Sequence, residues 1–298
     1  MNQSRQQAAT AAEVLNRAAK LSNVDARGAI TVRDGSHAIF ELPDGIVARV
    51  GQPHSYRTAQ RELRISQWLN KNGITTVEAV NSIPQPTLVD ERPVTWWTLI
   101  PDHRPSTPEE LGRMLRQLHA LTPPIDFPLP AYAPFDGVRE PVESATTITE
   151  ADRAWLLEQY ARLRQRYDEL DEPSQRCVIH GDAWQGNLVV PPSGEPTVLD
   201  LDKVSVGWPE WDLIQLAVDH TDFHRITDDQ YRSFVDAYGG YDVTRWPDYR
   251  VLADIQEFRW VAFALGRSDT RQSAATEAKH RIACLRGLVP KPWTWQAL

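Results

Sequence analysis

The residues best suited to chemistry lie in one stretch, Val178-Ile179-His180-Gly181-Asp182-Ala183-Trp184-Gln185-Gly186-Asn187-Leu188-Val189-Val190, followed by Val198-Leu199-Asp200-Leu201-Asp202. An apolar strand delivers His180 and Asp182 into a loop. Asn187 leads into a second apolar strand, Pro191-Pro192-Ser193-Gly194 turns the chain back, and Asp200 lies at the end of the returning strand. Asp182, Asn187 and Asp200 can therefore converge at one end of a small sheet. Phosphoryl transfer asks for this set: a carboxylate to orient a hydroxyl and take its proton, and hard oxygen ligands to hold magnesium against nucleotide phosphates. Asp182 suits the first task, Asn187 and Asp200 the second. Asp202, two residues on, would share a strand face with Asp200, either as a second ligand or as polar support. His180 reads as a brace for the loop that takes no part in proton transfer. A metal hydrolase built on His180, Asp182 and Asp200 is the rival chemistry, but the sequence has no further histidines clustered with them.

His-x-Asp-x-x-x-x-Asn, a hairpin and then Asp resembles the catalytic loop and metal aspartate of kinases. The form His180-Gly181-Asp182, with no arginine in the middle, resembles the aminoglycoside phosphotransferase family and its choline-kinase and homoserine-kinase-like relatives. Val206-Gly207-Trp208-Pro209-Glu210-Trp211-Asp212-Leu213 is similar to the segment that follows the metal aspartate there. The resemblance implies an α+β, two-lobed protein-kinase-like fold. A small β-rich nucleotide-binding lobe would occupy residues 1–101, and a larger α-rich catalytic and substrate-binding lobe residues 102–298. It further implies ATP and Mg2+ as cofactors and a hydroxyl acceptor on an aminoglycoside, amino sugar or related polar metabolite. Asp212 would support the catalytic loop through buried hydrogen bonds.

The first lobe departs from the usual kinase pattern. There is no Gly-x-Gly-x-x-Gly loop; the turn Asp34-Gly35-Ser36-His37 takes its place in order, which puts Ser36 among the nucleotide-binding candidates. Arg49, in Ile46-Val47-Ala48-Arg49-Val50, stands where the phosphate-binding lysine belongs, alternating with Val47 and Val50. Glu62 on the following helix is its natural partner, since guanidinium and carboxylate pair bidentately. Backbone groups at Leu99 would hold adenine. The plainer alternatives are an edge-strand charge for Arg49 and a solvated helix face for Glu62. A pseudokinase-like nucleotide-binding protein without transfer activity is the corresponding alternative function, which the complete Asp182, Asn187 and Asp200 set opposes.

The elements that must position these residues follow from periodicity and turn chemistry. Ala29–Arg33, His37–Leu42 and Ile46–Val50 read as strands split by Asp-Gly-type turns. Tyr56–Lys71 has helical apolar spacing. Thr87–Val89 and Val94–Ile100 read as strands, and Pro101–Pro105 as a hinge. Helices are predicted at Thr107–Leu121, Thr149–Leu170, Trp211–Thr221, Asp228–Tyr238, Trp246–Gly266 and Ser273–Leu288, with a proline-rich loop over Thr122–Pro141. Met1–Lys20 reads as a short amphipathic helix, not a targeting peptide.

The bulk numbers exclude more than they assign. The 298 residues are 41% hydrophobic and 24% charged, ordinary for a globular protein, and the net charge of -8 argues against a general nucleic-acid binder. Cys177 and Cys284 imply no disulfide framework. No apolar run approaches the roughly 20 residues that cross a bilayer, so no membrane association and a cytoplasmic location are expected. The 11 tryptophans are mostly core candidates, some of them pocket-lining. For the acceptor, Asp219, His220, Asp222, Glu257, Arg259 and Trp260 on the later helices could form an acidic-aromatic pocket favouring a cationic polyol. Asp219, Asp222, Glu257 and Trp260 are the foremost of these.

Overall fold

The computed structural model describes residues 9–34, 37–171 and 174–298, so Ser36 lies outside the described residues. The chain packs as two compact units, each discontinuous in sequence. One comprises residues up to Pro105 together with Gly186–Asp202; the other comprises Ser106–Gln185 and Lys203–Leu298. The linear division at Pro101 placed Gly186–Asp202 with the helices, whereas by packing it belongs with the first strands.

In the first unit, helix α1 (Ala11–Ser22) starts at a reciprocal capping box between Thr10 and Glu13 and buries Val14, Leu15, Ala18 and Ala19. Strands β1 (Ile30–Asp34), β2 (Ala38–Leu42) and β3 (Ile46–Val50) follow, then helix α2 (Tyr56–Lys71), β4 (Thr87–Val89) and β5 (Arg92–Thr98). They form an antiparallel sheet in the order β1-β2-β3-β5-β4. Leu15, Phe40, Val94 and Trp96 meet in its core; burying one such side chain contributes about 1.5–3 kcal/mol. β5 begins at Arg92, two residues before the predicted start. Asp90 and Glu91 both take positive φ, 47° and 61°, so a two-residue turn joins Val89 directly to Arg92 and leaves Pro93 inside the strand. Strand β6 (Arg104–Pro105) ends this part of the unit.

The second unit opens with α3 (Pro108–His119), capped by Thr107 and Glu110 with proline in the first turn. Helix α4 (Arg139–Ser144) interrupts the expected loop; at six residues it is too short to show a period. Then come α5 (Glu150–Asp168) and strand β7 (Cys177–Ile179). The chain next returns to the first unit, where β8 (Leu188–Val190) and β9 (Thr197–Val198) form a sheet in the order β6-β8-β9. Back in the second unit, β10 (Ser205–Gly207) pairs antiparallel with β7. Helices α6 (Glu210–Thr221), α7 (Asp228–Tyr238), α8 (Tyr249–Ser268) and α9 (Gln272–Leu285) complete it. α8 starts three residues later than predicted because Pro247 holds Trp246 extended, at ψ 130°. Gly112 lets α3 and α7 approach closely: a Cβ there would lie 2.5 Å from the Phe234 carbonyl.

Candidate active site

In the first unit the site begins at Arg49. The strand alternation differs from the sequence reading: Ala48 and Val50 are the buried residues, and Val47 shares the face of Arg49, as a period of two requires. From that face Arg49 Nη1 donates to Glu62 Oε2 at 2.7 Å and Nη2 to Asp200 Oδ1 at 3.3 Å. Glu62 is buried along the apolar stripe of α2, not on a solvated helix face. Burial pushes its carboxyl up to about 7 against the pull of Arg49, with Asp202 and Asp200 adding to the rise.

Asp200 is carried by the β8–β9 hairpin, which the first unit holds at several points. Val77 donates to the Val198 carbonyl (3.0 Å), and Val198 to the Thr75 carbonyl (2.9 Å). Leu188 pairs with Val198, and Leu199 donates to the Asn187 carbonyl at 2.8 Å, so Asn187 and Asp200 stand at the same end of the hairpin. Asp200 itself has φ 55°, a left-handed conformation uncommon for a residue with a side chain and typical of constrained functional positions. Asp202 does not continue a strand beside it. It lies in a 3-10 turn, Leu201–Lys203, and its carbonyl accepts from Arg61 at 3.1 Å. The alternation that put Asp200 and Asp202 on one face therefore does not operate there.

The donor set suits a hard divalent cation. Among the described residues no group of three or more His, Cys, Asp or Glu side chains is arranged to hold a metal alone. Magnesium in nucleotide sites needs no such cage: it takes one or two protein oxygens and completes its shell with phosphates and water. The Asp200 carboxylate and Asn187 amide supply oxygens of that kind. Leu99 donates its N–H to the Gly45 carbonyl at 2.8 Å, which engages the backbone donor expected to face adenine.

In the second unit the loop after β7 rests on Asp212. This carboxylate is fully buried and accepts from the N–H of His180 (2.7 Å), the N–H of Gly181 (2.8 Å) and His119 Nε2 (3.0 Å). His119 Nδ1 in turn meets the Tyr238 hydroxyl at 2.8 Å. Gly181 has φ 81°, and a Cβ on it would lie 2.5 Å from the Lys203 carbonyl, so both backbone and space demand glycine. Asp182, next in line, donates its N–H to His180 Nδ1 at 3.3 Å. Periodicity gave no hint of Tyr132, which comes from the proline-rich loop. Its N–H donates to Val206 at 2.9 Å, and its hydroxyl makes a long 3.5 Å contact to the Gly181 carbonyl and receives Arg259 Nη1.

The acidic candidates for acceptor binding face cations of their own. Asp219 pairs with Arg225 at 2.7 Å. Asp222 pairs with Arg250 and with Lys291, both at 2.6 Å, and Glu257 with Arg250 at 2.9 Å. Burial and then Asp222 push Glu257 well above the ordinary carboxyl range. Burial opposes the ionisation of Asp222, but hydrogen bonds from Glu257, Lys291 and Arg250 outweigh it and hold its carboxyl at about 2. Trp260 packs edge-on against Phe223 and Trp295 in an aromatic cluster. These residues form a charge-balanced network and a core, not an acidic wall. Trp184, two residues past Asp182, is by contrast 46% exposed.

A β-sheet unit with a strand cation paired to a helix carboxylate, and a helical unit whose buried aspartate braces a His-Gly-Asp loop, define a protein-kinase-like phosphotransferase. The chain belongs to the phosphotransferase enzyme family (APH), whose sequence model matches residues 32–255. It is accordingly an enzyme that transfers a phosphoryl group from ATP to the hydroxyl of a small molecule. No curated protein matches it by sequence. Among solved structures it resembles an amicoumacin kinase in complex with AMP-PNP, Ca2+ and Ami (TM-score 0.71, 14% identity, 93% of each chain covered). It also resembles the choline kinase LicA from Streptococcus pneumoniae (TM-score 0.67, 14% identity, 92% of this chain and 98% of that one). A spectinomycin phosphotransferase in complex with ADP is similar as well (TM-score 0.63, 15% identity, 91% and 96%). Among the described residues no helix is long and apolar enough to cross a membrane.

Proposed function

We propose that the protein is a working kinase for a polar small molecule, in which Asp182 is the catalytic base and Asn187 and Asp200 hold Mg2+ on ATP. The observation that carries this reading is the forked contact of Arg49 with Glu62 and Asp200. An arginine in the lysine position is the one feature that favours a pseudokinase. Here it is tied to the helix carboxylate and to the metal aspartate, as a phosphate-handling cation must be, and not left as an edge-strand charge.

In this reading the carboxylate of Asp182 accepts the proton of the acceptor hydroxyl as the oxygen attacks phosphorus. Asp212, with His119 behind it, holds the loop so that Asp182 need not reorganise. Arg49, oriented by Glu62, meets nucleotide phosphate oxygens. Bound Mg2+ would neutralise charge on those oxygens. Relatives in fold act on antibiotics and on choline by their names, which supports a polar, hydroxyl-bearing metabolite as the class of acceptor here.

Asp182→Asn tests the reading. The variant should fold and bind ATP with near wild-type affinity while transfer falls by about a thousandfold or more. Turnover close to wild type would remove Asp182 from the mechanism.

A further inference from the structure

The loop that carries Asp182 has beside it a cation that no carboxylate among the described residues matches. Arg259 is half-buried on α8. Arg250, Asp254 and Glu257 recur on that helix at the spacing of one face and pair among themselves and with Asp222, Lys291 and Arg166. Arg259 follows Glu257 by two residues, about 200° around the helix, and so leaves that network. Its guanidinium stacks 5.6 Å over the Tyr132 ring and donates to the Tyr132 hydroxyl. Among the described residues no carboxylate pairs with it, and the Tyr132 hydroxyl is the sole acceptor for its five N–H groups. The place is tied to the catalytic loop through the Tyr132 contact to the Gly181 carbonyl. Burial above all pushes the Tyr132 phenol up while Arg259 pulls it down, and Asp212 and Asp182 add to the rise, so the three charges act on one small region. Open donors on a half-buried arginine suit an anion, because a charge-assisted pair can replace the water that hydrates them. The carboxylates that would favour a polycation, Asp219, Asp222 and Glu257, already face Arg225, Arg250 and Lys291.

We propose that Arg259, fixed by Tyr132, recognises the acceptor, and that the molecule phosphorylated is a hydroxy acid whose carboxylate this guanidinium holds. One planar fork matches the two oxygens of one carboxylate. The inference rests on Asp182 being the base of the transfer.

The test pairs hydroxy acids of three to six carbons with their primary amides, adding phosphorylated alcohols and polyaminated sugars. Each is followed by Mg-ATP consumption and by calorimetric titration, so that binding is read even without turnover. Wild-type enzyme should prefer acids to amides by about tenfold or more in kcat/KM or in affinity, and Arg259→Gln should bring that ratio close to one by raising KM for the acids. Tyr132→Phe, which keeps the ring, should reduce the ratio partially. Equal use or binding of acid and amide, or preference for phosphorylated alcohols or polyaminated sugars, overturns the inference while leaving the kinase reading intact. So does an Arg259→Gln enzyme in which kcat falls alike for all acceptors with the ratio preserved. Absence of both nucleotide binding and transfer would sink the kinase reading, and the inference with it.

Discussion

At the scale of single residues, Glu62 is the group whose charge state decides whether Arg49 stays oriented. Its folded pKa of about 7 lies above the ordinary 4.5, so between those values the folded chain holds the extra proton. The stability that Glu62 contributes is therefore fully present below pH 4.5 and is lost as pH rises through 7. Function runs the opposite way, because pairing with Arg49 needs the anion. KM for Mg-ATP should rise as pH falls through 7, approaching about tenfold per pH unit. Glu62→Gln should show a raised KM with a weaker pH dependence, which separates this titration from that of ATP itself. Measuring KM for both proteins from about pH 6 to about pH 8 decides the matter; parallel profiles would rule Glu62 out. The neighbouring carboxylates should also separate. Asp200, left-handed and paired to Arg49, is the proposed ligand, whereas Asp202 sits in the following 3-10 turn. Calorimetric titration should find Mg-ATP affinity weakened by about tenfold more in Asp200→Ala than in Asp202→Ala. The reverse order would transfer the metal role to Asp202.

At the scale of elements, the loop that follows β7 and carries Asp182 keeps its shape through contacts made beneath it. Asp212 comes from the first turn of α6, and removing it would orphan two buried N–H groups and His119. Each unsatisfied buried donor costs about 1–3 kcal/mol. Asp212→Ala should therefore lower the midpoint of urea unfolding and depress kcat together. Gly181→Ala adds a left-handed alanine to a 2.5 Å clash with the Lys203 carbonyl. A loss of about 2–4 kcal/mol in urea unfolding is expected, with turnover reduced even where the chain stays folded. An alanine variant as stable and as active as wild type would mean that the loop can move away from Lys203.

At the scale of the whole molecule, the first unit cannot be completed from the beginning of the chain. β8 and β9 arrive after some eighty residues of the other unit; they supply the partners of β6 and of Thr75 and Val77, and Asp200 just after them supplies a partner of Arg49. A fragment ending at Pro105 would expose a two-residue strand edge and leave Arg49 with Glu62 alone. It should show no cooperative thermal transition by circular dichroism, in contrast to the full chain, because the missing hairpin contributes its buried Leu188, Val189, Val190 and Val198. A sharp transition in the fragment would show that the hairpin is dispensable for folding.

What the sequence determined by itself was local. Tyr56–Lys71, Ile46–Val50, Thr87–Val89 and Asp228–Tyr238 are read to the residue because apolar period, caps and turns are written within each segment. The His180–Asp202 stretch was legible for the same reason: its strands, loop and hairpin are contiguous, so spacing alone brings Asn187 and Asp200 to one end. β10 and α4 escaped because three and six residues carry too little pattern. The turn at Asp200 escaped because alternation cannot foresee where a strand stops. The tertiary structure alone decided which charges are balanced. Asp222 looked like a pocket acid until Arg250 and Lys291, distant in sequence, closed on it. Arg49 acquired Asp200, Asp212 acquired His119, and Arg259 was left, among the described residues, with Tyr132 and no carboxylate. Periodicity tells which face of an element is buried, but the electrostatics of a buried side chain depend on what the rest of the chain places against it.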